Sequence, residues 1–249
     1  MSHTAGAPLV SVIVCTYNRC ESLRDTLEAL TRQVVEDGVG VEVIIVDNNS
    51  SDGTAGVVQA AATASPWPVR YIFEANQGKS HALNRGMREA RGDLMAFTDD
   101  DVIPTPSWVQ QLVRALEAHR ADVVGGRILP LWFKSPPTWL ERQEELLGML
   151  AILDRGPRPI VATRQDAYYV YGSNMAFRAS VYREVGAYRT DLGPTGRRLW
   201  RGDDTDFVLR AFHIGKRIVY APDVVVHHKV SPERMRLSYF RRWKFESGR

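Results

Sequence analysis

Apolar residues follow two alternating patterns along the first hundred residues, and each pattern predicts one kind of secondary structure. Continuous apolar runs rich in β-branched residues are typical of strands buried on both faces, and they occur at 9–15, 41–46, 69–73 and 94–97. Helical spacing separates these runs, most clearly at 21–33, where Leu23, Leu27 and Leu30 share one face. Alternating strands and helices form right-handed βαβ units, so this part of the chain is predicted to be α/β with a parallel sheet.

The second half of the chain has a less regular pattern. Its apolar positions predict two helices and three strands, at 108–119 and 207–214 and at 122–124, 217–220 and 224–226. Prolines at 130–139 and 154–159 predict loops, and the glycines and arginines of 186–202 predict a mobile surface loop. Since no linker or repeat separates the two halves, residues 1–249 are predicted to form one domain.

Composition and charge exclude several classes of protein. Hydrophobic residues make up 44% and charged residues 24% of the 249 positions, as in ordinary globular domains. The formal net charge of +3 is too small to require nucleic acid as a partner. Two cysteines, Cys15 and Cys20, are too few for a disulfide framework or a cysteine-rich zinc site. No uncharged apolar run approaches the ~18 residues of a membrane span, and the N-terminus lacks the basic region of a secretion signal, so a cytoplasmic protein is predicted.

Polar residues cluster where three of the predicted strands end. The clusters are Thr16-Tyr17-Asn18-Arg19, Asp47-Asn48-Asn49 and Asp99-Asp100-Asp101. Each cluster alone is typical of a solvated turn. Ligands of open α/β sheets, however, bind at the carboxyl ends of the strands, so three clusters in these positions predict a ligand site.

The acidic cluster after the fourth strand is a candidate metal site. Alternate carboxylates at Asp99 and Asp101 can share a hard cation, and Mg²⁺ or Mn²⁺ prefers such oxygen ligands beside phosphate. An imidazole from His227 or His228 could complete the ligand shell around Asp101. The alternatives are a solvated run of charge and histidines without a special role.

Two helix starts carry further candidate chemistry. Gly78-Lys79-Ser80 begins a predicted helix, where free N–H groups and the lysine favour an anion, although an ordinary helix start with an exposed lysine fits equally. Asp203, Asp204 and Asp206 lie at another helix start, where acidic residues are common. One of these carboxylates could instead be a general base in a cleft.

Seven stretches together resemble the family 2 glycosyltransferases, which have the GT-A fold. In chain order they are SVIVCTYNR (11–19), VEVIIVDNNSSDGT (41–54), NQGKSHALNRG (76–86), LMAFTDDD (94–101), GSNMAFR (172–178), GDDTDFVLR (202–210) and PDVVVHHKV (222–230). The resemblance implies a single GT-A domain with a Rossmann-like, mostly parallel sheet flanked by helices. Residues 8–101 would be the nucleotide-binding half and 102–233 the acceptor half.

The resemblance also implies roles for individual residues. Nucleotide contacts are expected from Thr16, Tyr17, Asn18, Arg19, Asp47, Asn49, Lys79, Asp99 and Asp100. Asp47 would accept the N3–H of uracil or a similar base. Mn²⁺ or Mg²⁺ would bind Asp99, Asp101 and His228. Asp204 matches the second acid of the family's Glu-Asp element, the catalytic base, with Asp203 in place of the commoner glutamate.

The activity implied is transfer of a sugar, with inversion, from a nucleotide-sugar donor to a hydroxyl of a saccharide, a lipid-linked molecule or a small molecule. UDP-sugars are favoured as donors. The aromatic residues Trp132, Phe133, Trp139 and Trp200 could contact the acceptor or belong to the core. Tyr239 stands where processive members have the glutamine of a QxxRW motif, which argues against a polymer synthase.

Two other functions and one further partner are compatible with the sequence. A sugar-phosphate nucleotidyltransferase also holds a metal beside a nucleotide, and a non-catalytic module could bind a sugar nucleotide without turnover. The C-terminal segment 234–249 is basic and aromatic. It is predicted to be a helix packed on the domain. The alternatives are peripheral contact with the inner face of a membrane and a segment that covers the active site and contacts the diphosphate.

Overall fold

The computed structural model describes residues 9–141, 143–163, 170–195 and 202–247. The strands are β1 (Leu9–Thr16), β2 (Gly40–Asp47), β3 (Val69–Phe73), β4 (Leu94–Asp99), β5 (Val102–Pro104), β6 (Val123–Trp132), β7 (Ile160–Val161), β8 (Asn174–Arg178) and β9 (Ile218–Val230). The helices are α1 (Cys20–Thr31), α2 (Thr54–Ala64), α3 (Lys79–Glu89), α4 (Trp108–Ala118), α5 (Glu144–Met149), α6 (Ala179–Val185), α7 (Asp203–His213) and α8 (Leu237–Ser247), and a 3-10 turn spans Pro232–Met235.

One sheet runs through both halves of the chain, in the order β3-β2-β1-β4-β8-β6-β9-β5, with β7 beside β9. The four N-terminal strands β3, β2, β1 and β4 pair in parallel, as do β6 and β9. β8 lies antiparallel between β4 and β6, and the short β5 and β7 pair antiparallel with β9. The fold is therefore the single-domain α/β fold with a mostly parallel sheet that the sequence predicted.

Both faces of the sheet are buried, which explains the continuous apolar runs. Along β1, Val12 and Val14 face one apolar cluster together with Leu27 of α1 and Leu116 of α4. Ile13 points to the opposite cluster, which includes residues of α3 and α7. Because successive strand residues point to opposite faces, a strand covered by helices on both sides is apolar at most positions. The buried Ser11 of β1 and Glu42 of β2 are exceptions, and they hydrogen-bond each other.

A third apolar cluster holds the C-terminal segment. Phe240 of α8 and Met235 of the 3-10 turn are buried against Leu140, Met149 and Val230. The predicted packed helix at the C-terminus is confirmed. Among the residues that the structure describes, no helix is long and apolar enough to cross a membrane.

The hydrogen-bonded ladder between β6 and β9 is interrupted, and a single buried side chain binds the backbone at this place. The ladder between β6 and β9 shifts register between Gly126 and Arg127. Asn174, the first residue of β8, donates from Nδ2 to the carbonyls of Arg127 (2.9 Å) and Val224 (3.0 Å), and its Oδ1 accepts from Trp108 Nε1 (2.8 Å). This amide satisfies backbone groups that the interrupted ladder leaves unpaired.

Several predicted boundaries differ from the structure. β4 extends to Asp99, and β6 continues to Trp132 into the proline-rich stretch. The two predicted strands 217–220 and 224–226 are parts of the one strand β9, which begins at Ile218. β8 was not predicted, because its five residues are too few to show a period. Of the predicted surface loop 186–202, residues 196–201 lie outside the described residues, as does Trp200.

Candidate functional site

The three polar clusters of the sequence lie together at one edge of the sheet. β1 is flanked in parallel by β2 and β4, and the register places Thr16 beside Asp47 and Cys15 beside Asp99. The carboxyl ends of three adjacent parallel strands therefore meet here, as the sequence predicted.

Asp100 is the inward-facing member of the acidic cluster. Its buried carboxylate accepts from Thr16 Oγ1 (2.8 Å) and from Arg19 Nη1 (3.1 Å). Burial raises the pKa of Asp100 to about 6, against the opposing effect of the Arg19 charge. Thr26 of α1 donates to the backbone carbonyls of Asp100 (3.1 Å) and Val102 (2.8 Å), which fixes the turn. Thr16 and Asp100 thus hold the shape of the acidic turn.

Asp101 faces a different set of groups, which includes the predicted histidine. β5 follows the acidic turn and pairs with β9, so that Val102 lies opposite His228. This pairing brings His228 Nε2 to 3.3 Å from Asp101 Oδ1. Burial opposes the negative charge of Asp101, but His228, Arg19 and Arg234 hold the pKa of this carboxyl well below its usual range.

Two arginines also contact the Asp101 carboxylate. Arg19 Nη1 lies 3.0 Å from Oδ2, and Arg234 Nη1 lies 3.5 Å from the same oxygen and 3.2 Å from His228 Nε2. A guanidinium group therefore lies where the carboxylate and the imidazole converge. This position suits a cation.

The donor set at this position fits a divalent cation only in part. In the described ranges, no group of three or more histidine, cysteine or acidic side chains is arranged to hold a metal ion. Asp101 and His228 supply one oxygen and one nitrogen, and Mg²⁺ or Mn²⁺ commonly takes its other ligands from substrate phosphates and water. These two residues therefore suit a cation that binds together with a diphosphate.

Asp99, the third predicted metal ligand, is held apart from this pair. Its Oδ1 accepts from Lys79 Nζ at 2.7 Å. Burial disfavours the lysine charge, but Asp99, Asp204 and Asp203 hold the pKa of Lys79 well above its ordinary value. The Lys79 backbone N–H donates to the carbonyl of Pro194 (2.9 Å), so this group at the start of α3 already has a partner. The structure thus brings Lys79 and Asp99 together but does not place Asp99 beside His228.

Asp47, the predicted base-recognition residue, is buried, with 2% of its surface exposed. Its Oδ1 accepts from the backbone N–H of Ser50 (2.9 Å), and its Oδ2 accepts from Tyr71 OH (2.7 Å). Burial and this hydrogen bond raise the pKa of Tyr71 to about 12. Each carboxylate oxygen has a second acceptor position, so Asp47 retains the capacity to bind a donor group of a ligand.

The remaining predicted nucleotide contacts shape the loops above β1 and β2. Asn18 and Asn49 adopt left-handed conformations with φ of 52° and 68°. Asn18 Oδ1 accepts from the backbone N–H of Ser51 (2.7 Å), which joins the two loops. Tyr17 is 39% exposed beside them, and Asn49 is exposed. Tyr17 and Asn49 are therefore accessible to a ligand.

The second acidic cluster lies at the start of α7. Asp204 Oδ2 accepts from the backbone N–H of Gly172 at 2.9 Å, and a Cβ atom at Gly172 would lie 2.4 Å from Asp204 Oδ1. The missing side chain of Gly172 therefore lets the Asp204 carboxylate approach the backbone. Asp203 is buried, and this burial, with the charge of Asp204, raises the pKa of Asp203 to about 7. Asp206 instead pairs with Arg210 at 2.8 Å.

Comparison with known proteins gives these carboxylates a family context. The model of the family "Glycosyl transferase family 2" matches residues 11–186 of this chain. The chain belongs to this family. The protein is accordingly a glycosyltransferase, as the sequence predicted.

Curated relatives of this glycosyltransferase include archaeal and bacterial proteins. It is 30% identical to a glucosyl-dolichyl phosphate glucuronosyltransferase of Haloferax volcanii, over 89% of this chain and 69% of that relative. It is 25% identical to the succinoglycan biosynthesis protein ExoM of Rhizobium meliloti, over 96% of this chain and 72% of the relative.

Solved structures share the fold of this glycosyltransferase. A mannosyltransferase of Pyrobaculum calidifontis, in complex with GDP-Man and Mn²⁺, is 25% identical with a TM-score of 0.66, over 92% of this chain and 59% of that chain. TarS 1–349 of S. aureus, in complex with UDP, is 19% identical with a TM-score of 0.66, over 95% of this chain and 64% of that chain. The chain thus spans less than two thirds of either protein's length.

Tyr71 is a residue near the site of the glycosyltransferase that was not predicted. It lies two residues before Phe73, which pairs with Asp47, so the parallel β2–β3 register could have located it. Gly172 and Arg234 belong to stretches already noted in the sequence, 172–178 and 234–249, but no contact with a particular carboxylate was predicted for either. Those contacts join segments far apart in the chain, for which a single sequence gives no spacing signal.

Proposed function

We propose that this glycosyltransferase moves a sugar from a nucleotide-sugar donor to an acceptor hydroxyl, with inversion and with a divalent cation, Mn²⁺ or Mg²⁺. The observation that carries the proposal is the pair Asp101–His228, a carboxylate and an imidazole 3.3 Å apart at the carboxyl edge of the sheet. The mannosyltransferase that shares the fold is described with GDP-Man and Mn²⁺, which supports a cation here as well.

Asp101 and His228 would hold this cation, which when bound offsets the negative charge that develops on the departing diphosphate. Arg19 contributes positive charge from the other side, since it contacts both Asp100 and Asp101. Lys79 adds a further charge beside Asp99. We assign these side chains to binding and orienting the donor, together with Thr16, Tyr17, Asn18, Asn49 and Asp100.

Asp204 is the proposed catalytic base. It takes the proton of the acceptor hydroxyl while that oxygen forms a bond to the anomeric carbon and the bond from this carbon to the diphosphate breaks. The nucleoside diphosphate leaves, and attack from the opposite face inverts the anomeric configuration without a covalent enzyme intermediate. The Gly172 N–H, 2.9 Å from Oδ2, orients the carboxylate for this role.

We propose that Asp47 recognises the donor base and that UDP-sugars are preferred. A carboxylate acceptor complements the N3–H donor of uracil. TarS structures contain UDP or UDP-GlcNAc, whereas the mannosyltransferase structure contains GDP-Man, so both bases occur within this fold. The Tyr71 hydroxyl already bonds one Asp47 oxygen and would fix the carboxylate orientation for the base.

The acceptor is proposed to bind along residues 102–233, with 8–101 as the nucleotide-binding half. Phe133 is 61% exposed and Trp139 39% exposed, whereas Trp132 packs against the third apolar cluster. Exposed aromatic rings are common surfaces for sugar rings and apolar chains. The name of the Haloferax relative includes a glucosyl-dolichyl phosphate, so a lipid-linked saccharide is the first acceptor class to test.

We further propose peripheral contact with an anionic membrane through α8. Leu237 is 57% exposed and Phe245 64% exposed on this helix, and Arg241 and Lys244 are exposed beside them. Apolar side chains flanked by basic ones suit an anionic lipid surface. Co-sedimentation with anionic liposomes at low salt should be lost in Phe245→Ser, and equal sedimentation with neutral liposomes would contradict this proposal.

The test of the main proposal is metal-dependent donor binding by calorimetry. Asp101→Ala should lower UDP affinity in Mn²⁺ at least roughly tenfold, because a charged ligand of the cation is removed. Asp223→Ala is the matched control, since Asp223 is an exposed acid on the same strand as His228. UDP binding that resists both Asp101→Ala and EDTA would contradict the metal assignment.

A further inference from the structure

Arg234 places a positive charge between the two residues proposed to hold the cation. Its Nη1 atom lies 3.2 Å from His228 Nε2 and 3.5 Å from Asp101 Oδ2. The three side chains are largely sheltered from solvent, with exposed fractions of 21% for Arg234, 16% for Asp101 and 3% for His228. A charge in this position neutralises the carboxylate when no metal ion is bound.

The chemistry of the guanidinium group makes it a competitor of a metal ion. Arginine has only donors, so it hydrogen-bonds His228 Nε2 only in the tautomer that carries its proton on Nδ1 and a lone pair on Nε2. A metal ion would need the same lone pair and the same carboxylate. Arg234 and a divalent cation therefore cannot use Asp101 and His228 fully at the same time.

In the described contacts, the other cationic side chains of the site do not contact both proposed metal ligands. Lys79 contacts Asp99, which has no histidine beside it among the described contacts. Arg19 is 54% exposed and divides its contacts between Asp100 and Asp101 without approaching His228 closely enough for a hydrogen bond in the described contacts. Arg234 alone of these cations reaches both proposed ligands.

The position of Arg234 in the chain allows its side chain to move without unfolding its segment. It lies in the 3-10 turn Pro232–Met235, which the buried Met235 anchors in the third apolar cluster. Its guanidinium carbon is 5.6 Å from the centre of the Tyr239 ring, an attraction that does not depend on Asp101. A cavity of about 570 Å³, lined by Arg19, Asp101, Phe133 and Arg234 among others, lies beside the group.

We infer that Arg234 is an internal counter-ion that a divalent cation displaces from Asp101 and His228, and that the released guanidinium then binds the diphosphate of the donor. This inference rests on the proposed function and adds a binding residue to it. A positive charge lies beside the Asp101 carboxylate in both states, from the guanidinium group in the free protein and from the metal ion in the complex. The exchange therefore links metal binding to donor binding. Free protein should therefore bind the metal ion weakly and bind it well only with the nucleotide.

The test uses Arg234→Gln and two separate affinities, because the inference predicts changes of opposite sign. Mn²⁺ affinity of the nucleotide-free protein, from electron paramagnetic resonance, should rise at least about fivefold, since a competing charge is gone. UDP affinity at saturating Mn²⁺, from calorimetry, should fall about tenfold, since a phosphate ligand is lost. A structural defect alone would weaken both. The control Arg183→Gln, an exposed arginine of α6, should change neither.

A second variant keeps the inference testable should Arg234→Gln not fold. Arg234→Lys retains the charge as a compact ammonium in place of the guanidinium, whose Nη1 atom contacts both partners. Mn²⁺ affinity should rise less, and UDP affinity should fall less, than in the glutamine variant. In the wild-type protein, Mn²⁺ alone should change hydrogen exchange in residues 232–239, and no change there would overturn the inference.

The outcomes separate this inference from the proposed function. Wild-type protein that shows metal-dependent UDP binding, with Mn²⁺ affinity unchanged or lowered in Arg234→Gln, overturns the inference alone. UDP binding that does not respond to Mn²⁺ in wild type or in Asp101→Ala overturns the proposed function and the inference with it.

Discussion

Two clusters of three carboxylates lie within this site, and the fold neutralises them in different ways. At the end of β4, Asp101 is surrounded by Arg19, Arg234 and His228, and its pKa is held low. At the start of α7, Asp203 is buried beside Asp204, and its pKa is raised to about 7. In the first cluster, Asp101 keeps its charge and attracts cations, although burial raises the pKa of the neighbouring Asp100 to about 6. In the second cluster, the raised pKa of Asp203 favours a bound proton. The difference suits a cation site in one place and proton transfer in the other.

The largest expected effect concerns Asp204, whose proposed role as base depends on its charge. Asp204→Asn keeps the size of the side chain and an oxygen that can accept from the Gly172 N–H. It cannot take a proton at neutral pH, so we expect turnover to fall roughly 10²- to 10⁴-fold. Sugar transfer, melting temperature and UDP affinity are measured together, and the last two should stay near wild type.

Asp206→Asn is the control for Asp204→Asn, since Asp206 lies in the same first helical turn but pairs with Arg210. It should keep turnover within a few-fold of wild type. Normal turnover in a folded Asp204→Asn protein would contradict the assignment of the base.

A third carboxylate sharpens the comparison, because the described contacts place no cationic side chain beside Asp47. It is stabilised by hydrogen bonds from Tyr71 and Ser50. Asp47→Ala should reduce UDP affinity about ten- to hundredfold, the effect of one lost charge-assisted hydrogen bond of roughly 1.5–3 kcal/mol. The response of the remaining UDP affinity to Mn²⁺ should be unchanged, in contrast to Asp101→Ala. Unchanged UDP affinity in a folded variant would place base recognition elsewhere.

The smallest expected effect is on stability and concerns Asp203. Its folded pKa of about 7 exceeds the ordinary value of 3.8, so the folded state binds the proton more tightly than the unfolded state. Its contribution to the free energy of unfolding is therefore present at low pH and is lost as pH rises through about 7.

Asp203→Asn removes this pH dependence because the amide is neutral at every pH used. The melting temperature of the variant relative to wild type should rise between pH 5.5 and pH 8. The rise should be roughly 2–4 °C for each kcal/mol of unfolding free energy that the wild-type protein loses as Asp203 ionises. A difference that is constant over this range would show that Asp203 does not hold the proton.

The sequence predicted the half of the site that local patterns encode. Thr16, Asp47 and Asp99 are the last residues of adjacent parallel strands. The end of a buried strand can be predicted because the sequence changes there from apolar to polar residues. The α/β fold followed from the same pattern. These features need no knowledge of distant contacts.

Most side-chain partners could not be predicted from local patterns. An imidazole beside Asp101 was one of two alternatives, and the choice of His228 came from the family resemblance. The contact itself depends on the pairing of β5 with β9, although β5 has only three residues. Lys79, at the start of α3, hydrogen-bonds Asp99. The three expected metal ligands therefore do not form one group among the described residues. Such partners are determined by pairings between segments far apart in sequence, on which helical and strand periods carry no information.

The buried amide of Asn174 has a consequence for the cooperativity of unfolding. It joins β8 to the interrupted ladder of β6 and β9 and to α4, at the place where the N-terminal strands meet the C-terminal ones. Cooperative unfolding requires that neighbouring parts lose their structure together, and a few buried contacts between them are enough to enforce this. Loss of this side chain is therefore expected to weaken the coupling between the unfolding of the two parts of the sheet. Asn174 lies within the stretch 172–178 that carries part of the family resemblance.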